Sequence, residues 1–336
     1  MPPSGLAAPT LTDAKTTLQT ANYFLRAGFE LDASVETLAS YDLLVLPAEA
    51  QVLNRNALET LRKHNPNIIL LAYVPTVSWN DVWFDELHDS LKSRLSEDAW
   101  LTNENGAVSI WPGTSALNLP GSWNAILAEY VASDILGSSL WDGVMYDEVS
   151  DDVWWDPERA SLWHEAYATL FARTKQLAPN AIVITNGSSS PLYNSTTDGR
   201  MFESFPTPWE ANGDWEAQVR SMLEGDDITI INVNTNNTGI LSPASLRMGL
   251  AAALMTDAYL SLDYGTTSHG QLWTVPDFDG DIGTAQGDAT QLPNGLWVRH
   301  FSHGTVIANP TDDTLGWEDG DIDVTLPAND ALIVRE

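Results

Sequence analysis

Eight short apolar segments, separated by helix-like or loop-like stretches, constrain this chain more than any other feature of its sequence. They are ANYFLRAG (21–28), YDLLVLPAEA (41–50), NIILLAYVPT (67–76), WDGVMYDEV (141–149), AIVITNGSS (181–189), GRMFESFP (199–206), ITIINVNTNN (228–237) and AYLSLDYG (258–265). Continuous apolar runs of this length are typical of parallel strands that are buried on both faces of a sheet. The sequence therefore predicts eight buried parallel strands.

The intervening stretches carry helix signals. The segments 54–64 and 122–136 have apolar residues at helical spacing, and the segments 157–177 and 243–255 each open with proline, a common first residue of a helix. Strands that alternate with helices indicate βαβ units, and eight such units close into a (β/α)8 TIM barrel of about 250 residues. We therefore predict an α/β fold with the barrel at 21–285, preceded by a lead segment at 1–20.

The last fifty residues have a different pattern. LWVRHF (296–301) and TVIANP (305–310) flank the turn Ser302–Gly304, and the alternating segments IDVTLP and ALIVRE follow. Alternating segments joined by turn residues predict antiparallel strands. We expect a small C-terminal antiparallel β-domain, similar to a β-sandwich, at 286–336.

Charge and composition exclude several classes of protein. The chain has 15 Lys and Arg against 46 Asp and Glu, a net charge of -31, and no cysteine. Such a surface repels nucleic acid and anionic membranes, and the lack of cysteine excludes disulfides and thiolate chemistry. No apolar run is long enough to span a membrane. The acidic residues are dispersed, which favours an adaptation to the solvent over attraction for a cationic substrate.

The first residues, MPPSGLAAPTLTDAK, lack the basic and apolar regions of a signal peptide. A trimmed secreted protein and an intact cytoplasmic one both begin in this way. We expect a secreted or extracellular protein.

In a TIM barrel the catalytic groups lie at the carboxyl ends of the strands. Acids, amides and tyrosines occupy those positions here: Glu49, Tyr73, Tyr146, Asp147, Glu148, Asn186, Glu203, Asn232, Asn234, Asp263 and Tyr264. None of the six histidines ends a predicted strand, although His269 lies in the loop after the eighth. A metallohydrolase barrel would need histidine ligands at strand ends, so we expect neither a metal nor a cofactor.

A set of carboxylates without histidine fits glycoside hydrolysis, which needs one protonated acid and one ionised carboxylate. The two-residue period of a strand turns Asp147 to the inside together with Gly143 and Met145. Glu203 stands between Phe202 and Ser204, and desolvation beside an aromatic ring raises a carboxyl pKa, as a general acid requires. Two strands apart, these carboxyls can lie about 5–5.5 Å from each other, the retaining geometry.

Tryptophans are the second functional signal, since aromatic rings pack against the apolar faces of sugars. Of the 14 tryptophans, eight lie in loops that follow predicted strands: Trp79, Trp83, Trp100, Trp111, Trp154, Trp155, Trp209 and Trp273. Core packing is the alternative and explains some of them. We predict substrate contacts for Trp79, Trp154, Trp209 and Trp273, and for the strand-end residues other than Asp147 and Glu203.

Several motifs resemble a known family. DGVMYDEV, a strand ending in TNG, GRMFESFP, YLSLDYG, HGQLWTVPDFDGDIGTAQG and LWVRHFSHGTVIANPT together resemble the glycoside-hydrolase-like family 15 barrels over roughly 20–336. More remotely, the chain is similar to the family 114 α-1,4-polygalactosaminidases, which place an Asp after strand four and a Glu after strand six. That similarity implies catalytic roles for Asp147 and Glu203. The long Trp-rich segment after the third strand departs from a minimal barrel.

The sequence therefore predicts a glycoside hydrolase that cleaves a polysaccharide or oligosaccharide, with Asp147 as nucleophile and Glu203 as acid/base. A neutral or amino-sugar polymer is expected, because the strand ends offer no Arg or Lys for a uronate. Two alternatives stay open: a non-catalytic carbohydrate-binding barrel, and a metal-assisted hydrolase using Asp147, Glu148 and Asp263. The acidic run Asp277–Asp281 could bind Ca²⁺, but it lacks the downstream Glu of an EF-hand, which favours a plain turn.

Overall fold

Eight parallel strands close into a barrel in the computed structural model, which describes residues 18–82, 85–187, 193, 195–225, 228–273, 282–320 and 322–335. The strands are β1 Gln19–Tyr23, β2 Leu43–Pro47, β3 Ile69–Pro75, β4 Gly143–Val149, β5 Ile182–Gly187, β6 Gly199–Phe202, β7 Ile228–Asn234 and β8 Tyr259–Asp263. Each strand pairs with its neighbours in sequence, and β8 pairs with β1. The predicted TIM barrel is confirmed. The first strand begins and ends earlier than its apolar segment, 21–28, suggests.

The inside of the barrel consists of two layers. The lower layer is apolar and includes Ala21, Val45, Leu71, Met145, Ile184, Met201 and Ile230. Because side chains alternate along a strand, the residues two positions later also point inwards. Five of them, Tyr23, Tyr73, Asp147, Asn186 and Glu203, form what we call the polar layer together with Asp263, which lies four positions after Tyr259 of the apolar layer. The strand period thus brings groups from six strands to the carboxyl end of the barrel.

Gly143, at the start of β4, is required by the neighbouring strand. A Cβ atom on Gly143 would lie 2.1 Å from the carbonyl oxygen of Ile182 on β5. The close approach of β5 therefore explains the glycine at this position. Asp142, just before it, accepts a hydrogen bond from Arg62 at 2.7 Å, which joins the helix Arg55–His64 to the start of β4.

The helices pack around the barrel. They are α1 Phe29–Leu38, α2 Ala50–Leu53, α3 Arg55–His64, α4 Glu86–Lys92, α5 Asn124–Tyr130, α6 Ala160–Leu177, α7 Trp215–Leu223 and α8 Pro243–Thr256. Helix α8 is buried from Met248 to Met255, as its apolar sequence predicts. The described part of the connection between β5 and β6 contains no helix. No helix among the described residues is long and apolar enough to cross a bilayer.

The segment between β3 and β4 forms an insertion over the barrel, which we define as residues 76–142. It contains the short antiparallel pair Ser78–Trp79 and Ser115–Ala116, and a second pair at Thr102–Asn103 and Gly106–Ala107. Helix α5 is flanked by the π-helical turns Leu119–Trp123 and Val131–Ile135. The indole of Trp123 donates to the carbonyl of Thr76 at 2.7 Å, which ties the insertion to the end of β3.

The C-terminal strands are antiparallel, as predicted. They are β9 Thr290–Gln291, β10 Trp297–Phe301, β11 Gly304–Asn309, β12 Leu315–Asp319, β13 Ile322–Leu326 and β14 Asp330–Arg335. Four of them form a sheet in the order β9-β10-β11-β14, and β12 pairs with β13. Ion pairs from Arg247 on α8 to Asp330 and from Arg299 to Asp257 join this sheet to the barrel. The run Asp277–Asp281 lies outside the described residues.

Candidate active site

Asp147 lies on β4 in the polar layer and accepts three hydrogen bonds. The hydroxyl of Tyr73 donates to Oδ2 at 2.6 Å. The amide nitrogen of Asn186 and the backbone N–H of Glu148 donate to Oδ1 at 2.9 Å and 2.8 Å. Burial and the charge of Asp147 raise the pKa of Tyr73 well above its usual value, so the Tyr73 hydroxyl remains a donor. Both carboxylate oxygens of Asp147 therefore act as hydrogen-bond acceptors.

Asn186 links the two predicted catalytic acids. Its Nδ2 atom donates to Asp147 Oδ1 at 2.9 Å and to Glu203 Oε2 at 2.8 Å. Two oxygens bonded to one nitrogen at these distances are at most about 5.7 Å apart. Both hydrogen bonds use the amide nitrogen, so each carboxyl oxygen acts as the acceptor. The limit applies to these two oxygens, and the spacing of about 5–5.5 Å in retaining pairs falls within it.

Glu203 directly follows β6. Burial raises its pKa, and the charge of Asp147 raises it further, against the opposing effects of the Asn186 hydrogen bond and of His269. Ser204 has a φ of 57°, so the backbone turns away from the strand immediately after the acid. The aromatic ring named in the sequence analysis does not cause the burial, because Phe202 points outwards into the cluster that packs against α7 and α8. Glu203 is desolvated instead by its position inside the carboxyl end of the barrel, beside Asn186.

Asp263 forms a pair with His269, a residue that the sequence analysis did not select. Asp263 is only 2% exposed, and its Oδ2 lies 2.6 Å from Nδ1 of His269. Its Oδ1 accepts from the backbone N–H of Tyr264 at 2.7 Å. The buried carboxylate therefore orients the imidazole, which lines the cleft. The signal was present in the sequence, since His269 follows Asp263 by six residues in the loop after β8.

Glu148 serves the insertion. Its backbone φ of 64° interrupts the alternation at the end of β4. Its carboxylate accepts from the backbone N–H groups of Val77 and Ser78 at 3.0 Å and 2.7 Å, from the Ser78 hydroxyl, and from the Trp111 indole at 2.7 Å. Glu148 also lines the cleft, as predicted for a substrate contact. Its hydrogen bonds also join the insertion to the end of β4.

A cleft of about 1060 Å³ opens above the polar layer. Four tryptophans of the described residues line it: Trp111 from the insertion, Trp154 and Trp155 after β4, and Trp209 after β6. Trp111, Trp154 and Trp209 are 54%, 54% and 51% exposed, which is unusual for so apolar a side chain. The predicted contacts Trp154 and Trp209 therefore face the cleft. Trp111 and Trp155 also line the cleft, although the sequence analysis predicted no substrate contact for them.

Two predicted substrate contacts lie elsewhere. Tyr146 is fully buried on the outer side of β4, where its hydroxyl bonds Thr174 of α6 at 2.7 Å. The strand period explains this correction, because Tyr146 and Asp147 must point to opposite sides. Trp79 is 5% exposed and packs edge-on against His88 and Trp100 within the insertion. Trp83 lies outside the described residues.

Glu49 belongs to a separate cluster with Asp85 and His88. Asp85 Oδ2 lies 2.5 Å from His88 Nδ1, and Glu49 lies 3.4 Å from His88 Nε2. The three could hold a metal ion by spacing. Glu49 and His88 border a cavity of about 40 Å³, and Tyr73 lines both this cavity and the cleft. The prediction that Glu49 contacts the substrate is therefore corrected. Through His88, its carboxylate joins α4 of the insertion to the end of β2.

The remaining predicted contacts lie near the cleft without lining it. Asn232 is fully buried inside the barrel, with its Nδ2 3.5 Å from the Ser261 hydroxyl. Asn234 donates to the Ser204 hydroxyl at 2.6 Å and so supports the turn after Glu203. Tyr264 accepts backbone hydrogen bonds from Thr235 and Asn237, and the Trp273 carbonyl accepts from Tyr41. These hydrogen bonds stabilise the loops and strand ends around the cleft.

The comparisons with known proteins agree with the barrel fold. The glycoside hydrolase domain of PelA from Pseudomonas aeruginosa superposes with a TM-score of 0.54 at 15% identity, covering 77% of this chain and 98% of that one. Amy13B of Eubacterium rectale has a TM-score of 0.58 at 12% identity, covering 96% of each chain. A family 36 α-galactosidase, AgaA of Geobacillus stearothermophilus, has a TM-score of 0.54 at 11% identity, covering 95% of this chain and 55% of that one.

At these identities the structural neighbours show the fold alone, and no curated protein matches the sequence. The remoter similarity to family 114 stays a prediction. The sequence itself carries the assignment, because residues 62–305, most of the chain, match the family described as hypothetical glycosyl hydrolase family 15. The chain belongs to hypothetical glycosyl hydrolase family 15.

Proposed function

We propose that this protein is a retaining glycoside hydrolase acting on a neutral or amino-sugar polysaccharide, with Asp147 as nucleophile and Glu203 as acid/base. One observation carries the proposal: a single amide nitrogen, Nδ2 of Asn186, bonds both carboxylates and keeps them within about 5.7 Å. This limit includes the spacing of about 5–5.5 Å that is typical of retaining pairs.

The environments of the two acids assign their roles. Asp147 accepts three hydrogen bonds, which suits an anion that attacks carbon. Burial and the neighbouring charge raise the pKa of Glu203, which suits an acid that must carry a proton. These surroundings favour Asp147 as the nucleophile and Glu203 as the proton donor.

The reaction then has two steps. Glu203 gives its proton to the glycosidic oxygen as that bond breaks, and an oxygen of Asp147 bonds the anomeric carbon to form a glycosyl ester. In the second step Glu203, now ionised, takes a proton from water, whose oxygen attacks the same carbon and releases Asp147. Asn186 and Tyr73 hold the carboxylates in place throughout.

The cleft supports an extended substrate of low negative charge. Its exposed indoles offer apolar faces for several sugar rings. Among the described residues, six acids line it, Asp147, Glu148, Asp151, Asp152, Glu203 and Glu210, and the arginine that lines it, Arg200, forms an ion pair with Glu210 at 2.8 Å. A polyuronate would meet repulsion here. For a cationic amino-sugar polymer, added salt should raise KM by screening the attraction.

The two alternatives meet specific difficulties. A carbohydrate-binding barrel without activity would be indicated by acids more than about 10 Å apart. The bridged pair is far closer than that. A metal site built from Asp147, Glu148 and Asp263 would have to compete with the backbone donors that bind Glu148 and with the His269 ring that binds Asp263. Activity that survives exhaustive chelation would eliminate this alternative.

The test compares Glu203→Gln on two kinds of substrate. Neutral and amino-sugar polymers are first screened for release of reducing ends by the wild-type enzyme. On the polymer that is cleaved, Glu203→Gln should lose activity by about 10³-fold, because an alkoxide leaving group needs the proton. An aryl glycoside with a good leaving group should keep most of its glycosylation rate.

Glu210→Gln is the matched control, since this acid lines the same cleft and pairs with Arg200. It should lose much less activity than Glu203→Gln. Equal losses of Glu203→Gln on both substrates would remove Glu203 from the acid role. A wild-type enzyme that cleaves no glycan in the screen would contradict the proposed function itself.

A further inference from the structure

The imidazole of His269 is held by two contacts, and its backbone by a third. Asp263 Oδ2 lies 2.6 Å from Nδ1, and the ring of Tyr23 packs on the imidazole with centroids 4.6 Å apart. The carbonyl of His269 accepts from the backbone N–H of Leu25 at 2.8 Å, which ties the loop after β8 to the end of β1. A side chain fixed in this way is preorganised, and its orientation costs nothing when a ligand binds.

The remaining side of the ring faces the cleft. His269 lines the cleft together with Tyr23, Asp147 and Glu203, and its side chain is 17% exposed. Nε2 has no hydrogen-bond partner among the residues that the structure describes, whereas Nδ1 is bonded to Asp263. The ring therefore presents one free nitrogen to whatever occupies the cleft beside the two acids.

We propose that Nε2 of His269 donates a hydrogen bond to a hydroxyl of the sugar ring that reacts at Asp147 and Glu203, and that Asp263 acts through His269 as a positioning residue. The inference rests on the proposed function, since it names a further contact to the same sugar. It also changes the role of Asp263, which the sequence analysis assigned to direct substrate contact.

The charges around the ring favour the form in which both nitrogens carry protons. Burial lowers the pKa of His269, but the hydrogen bond and charge of Asp263, with the charges of Glu203 and Asp147, outweigh burial and raise it above the usual value. The other titratable groups nearby are Tyr23, Tyr73 and, on the loop after β1, Arg26, which bonds Ser268 at 2.9 Å. Asp263 accepts the Nδ1 proton, so only the charged ring can donate from Nε2.

Two substitutions separate the nitrogens. In His269→Asn the amide stands where Nδ1 was, so the partner of Asp263 remains and the donor to the sugar is lost. In His269→Gln the amide reaches the position of Nε2, so the donor remains and the partner of Asp263 is lost. We expect kcat/KM on the polymer cleaved by wild type to fall about 10²-fold in His269→Asn and only about 10-fold in His269→Gln.

A role for His269 in holding Asp263 alone would give the reverse order. His269→Asn would then be close to wild type and His269→Gln would be the damaged variant. That order, or equal activity of both variants and wild type, would overturn the proposal. Melting temperatures of both variants should be measured, and rates compared well below the lower one, because a buried Asp263 without its partner destabilises the fold.

The role of Asp263 is tested by a double-mutant cycle. Asp263→Asn should lower kcat/KM about 10-fold alone, and by less than about 2-fold in the His269→Asn background, because its effect passes through Nε2. An undiminished loss in that background would contradict the positioning role. Imidazole ¹⁵N shifts supply a readout without substrate: the pKa of His269 should fall in Asp263→Asn, since the neutral amide no longer stabilises the charged ring.

The outcomes also separate this inference from the proposed function. If wild type cleaves a glycan and the His269 variants follow the reversed order, the inference fails and the assignment of Asp147 and Glu203 survives. If wild type cleaves none of the polymers screened, the proposed function fails first.

Discussion

Two histidines of this protein make the same contact with an aspartate and face different surroundings. Asp85 lies 2.5 Å from Nδ1 of His88, and Asp263 lies 2.6 Å from Nδ1 of His269. Around His88, Trp79 packs on the ring and Glu49 lies 3.4 Å from Nε2. Around His269, Tyr23 packs on the ring and Nε2 faces the cleft.

The difference shows that the second nitrogen decides what such a pair can do. At His88 both nitrogens face protein carboxylates, so the pair joins α4 of the insertion to the end of β2. At His269, Nδ1 faces Asp263, and no partner of Nε2 lies among the described residues. A similar contact with an aspartate thus stabilises the insertion in one region and, as we propose, positions a substrate contact in the other.

The largest expected effect compares one acid from each region. Asp147→Asn should abolish the attack on the anomeric carbon and lower kcat by about 10⁴-fold or more. Glu49→Gln should leave kcat within a few-fold of wild type, because Glu49 lies outside the cleft. Initial rates on the same polymer measure both, and a comparable loss in Glu49→Gln would break the comparison.

The next effect concerns stability. His88→Ala leaves the carboxylates of Asp85 and Glu49 without their shared partner, and we expect it to lower the free energy of unfolding by about 1–3 kcal/mol. Urea unfolding measures this loss, and the kcat of the folded variant should stay near that of wild type. A variant as stable as wild type with reduced kcat would mean that His88 serves the reaction.

The pH dependence should separate the two glutamates. Burial raises the pKa of Glu49 and of Glu203, so each binds its proton more tightly in the folded state. Stability should therefore fall as pH rises from the ordinary glutamate pKa through the raised one, and either Glu→Gln variant should reduce this fall. Only Glu203→Gln should also remove the alkaline limb of kcat/KM, because Glu203 reacts in its protonated form.

The smallest expected effect concerns the indoles. Trp209→Ala removes an exposed face of the cleft and should raise KM several-fold on a long polymer, with kcat little changed. Trp79→Phe is the control, since that ring is buried within the insertion and keeps its aromatic contact with His88. Kinetics on polymer and on a short aryl glycoside would show whether the loss grows with substrate length.

The sequence was sufficient for the barrel and for its two central acids. Eight apolar segments gave the strands, and the two-residue period turned Asp147 inwards beside Met145. The same period excludes Tyr146, its neighbour, from the cleft, although its place at a strand end had selected it. A place at a strand end therefore predicts a residue of the cleft less well than that place combined with an inward-pointing side chain.

The remaining features depend on how loops return to the barrel. The insertion brings Trp111 to Glu148 across 37 positions of sequence and buries Trp79, and no local pattern distinguishes the two tryptophans. His269 faces the cleft because Asp263 and Tyr23, from β8 and β1, hold its ring. Such contacts between distant segments arise from tertiary packing, which periodicity and spacing do not report.

The central claim is that Asp147 and Glu203 act as a retaining pair, and the stereochemistry of the first product tests it most directly. Proton NMR of the anomeric region, recorded in the first minutes of hydrolysis before mutarotation, identifies the anomer that the enzyme releases. We predict that the released sugar has the same anomeric configuration as the bond that was cleaved. Initial release of the opposite anomer would contradict the assignment of Asp147 as nucleophile.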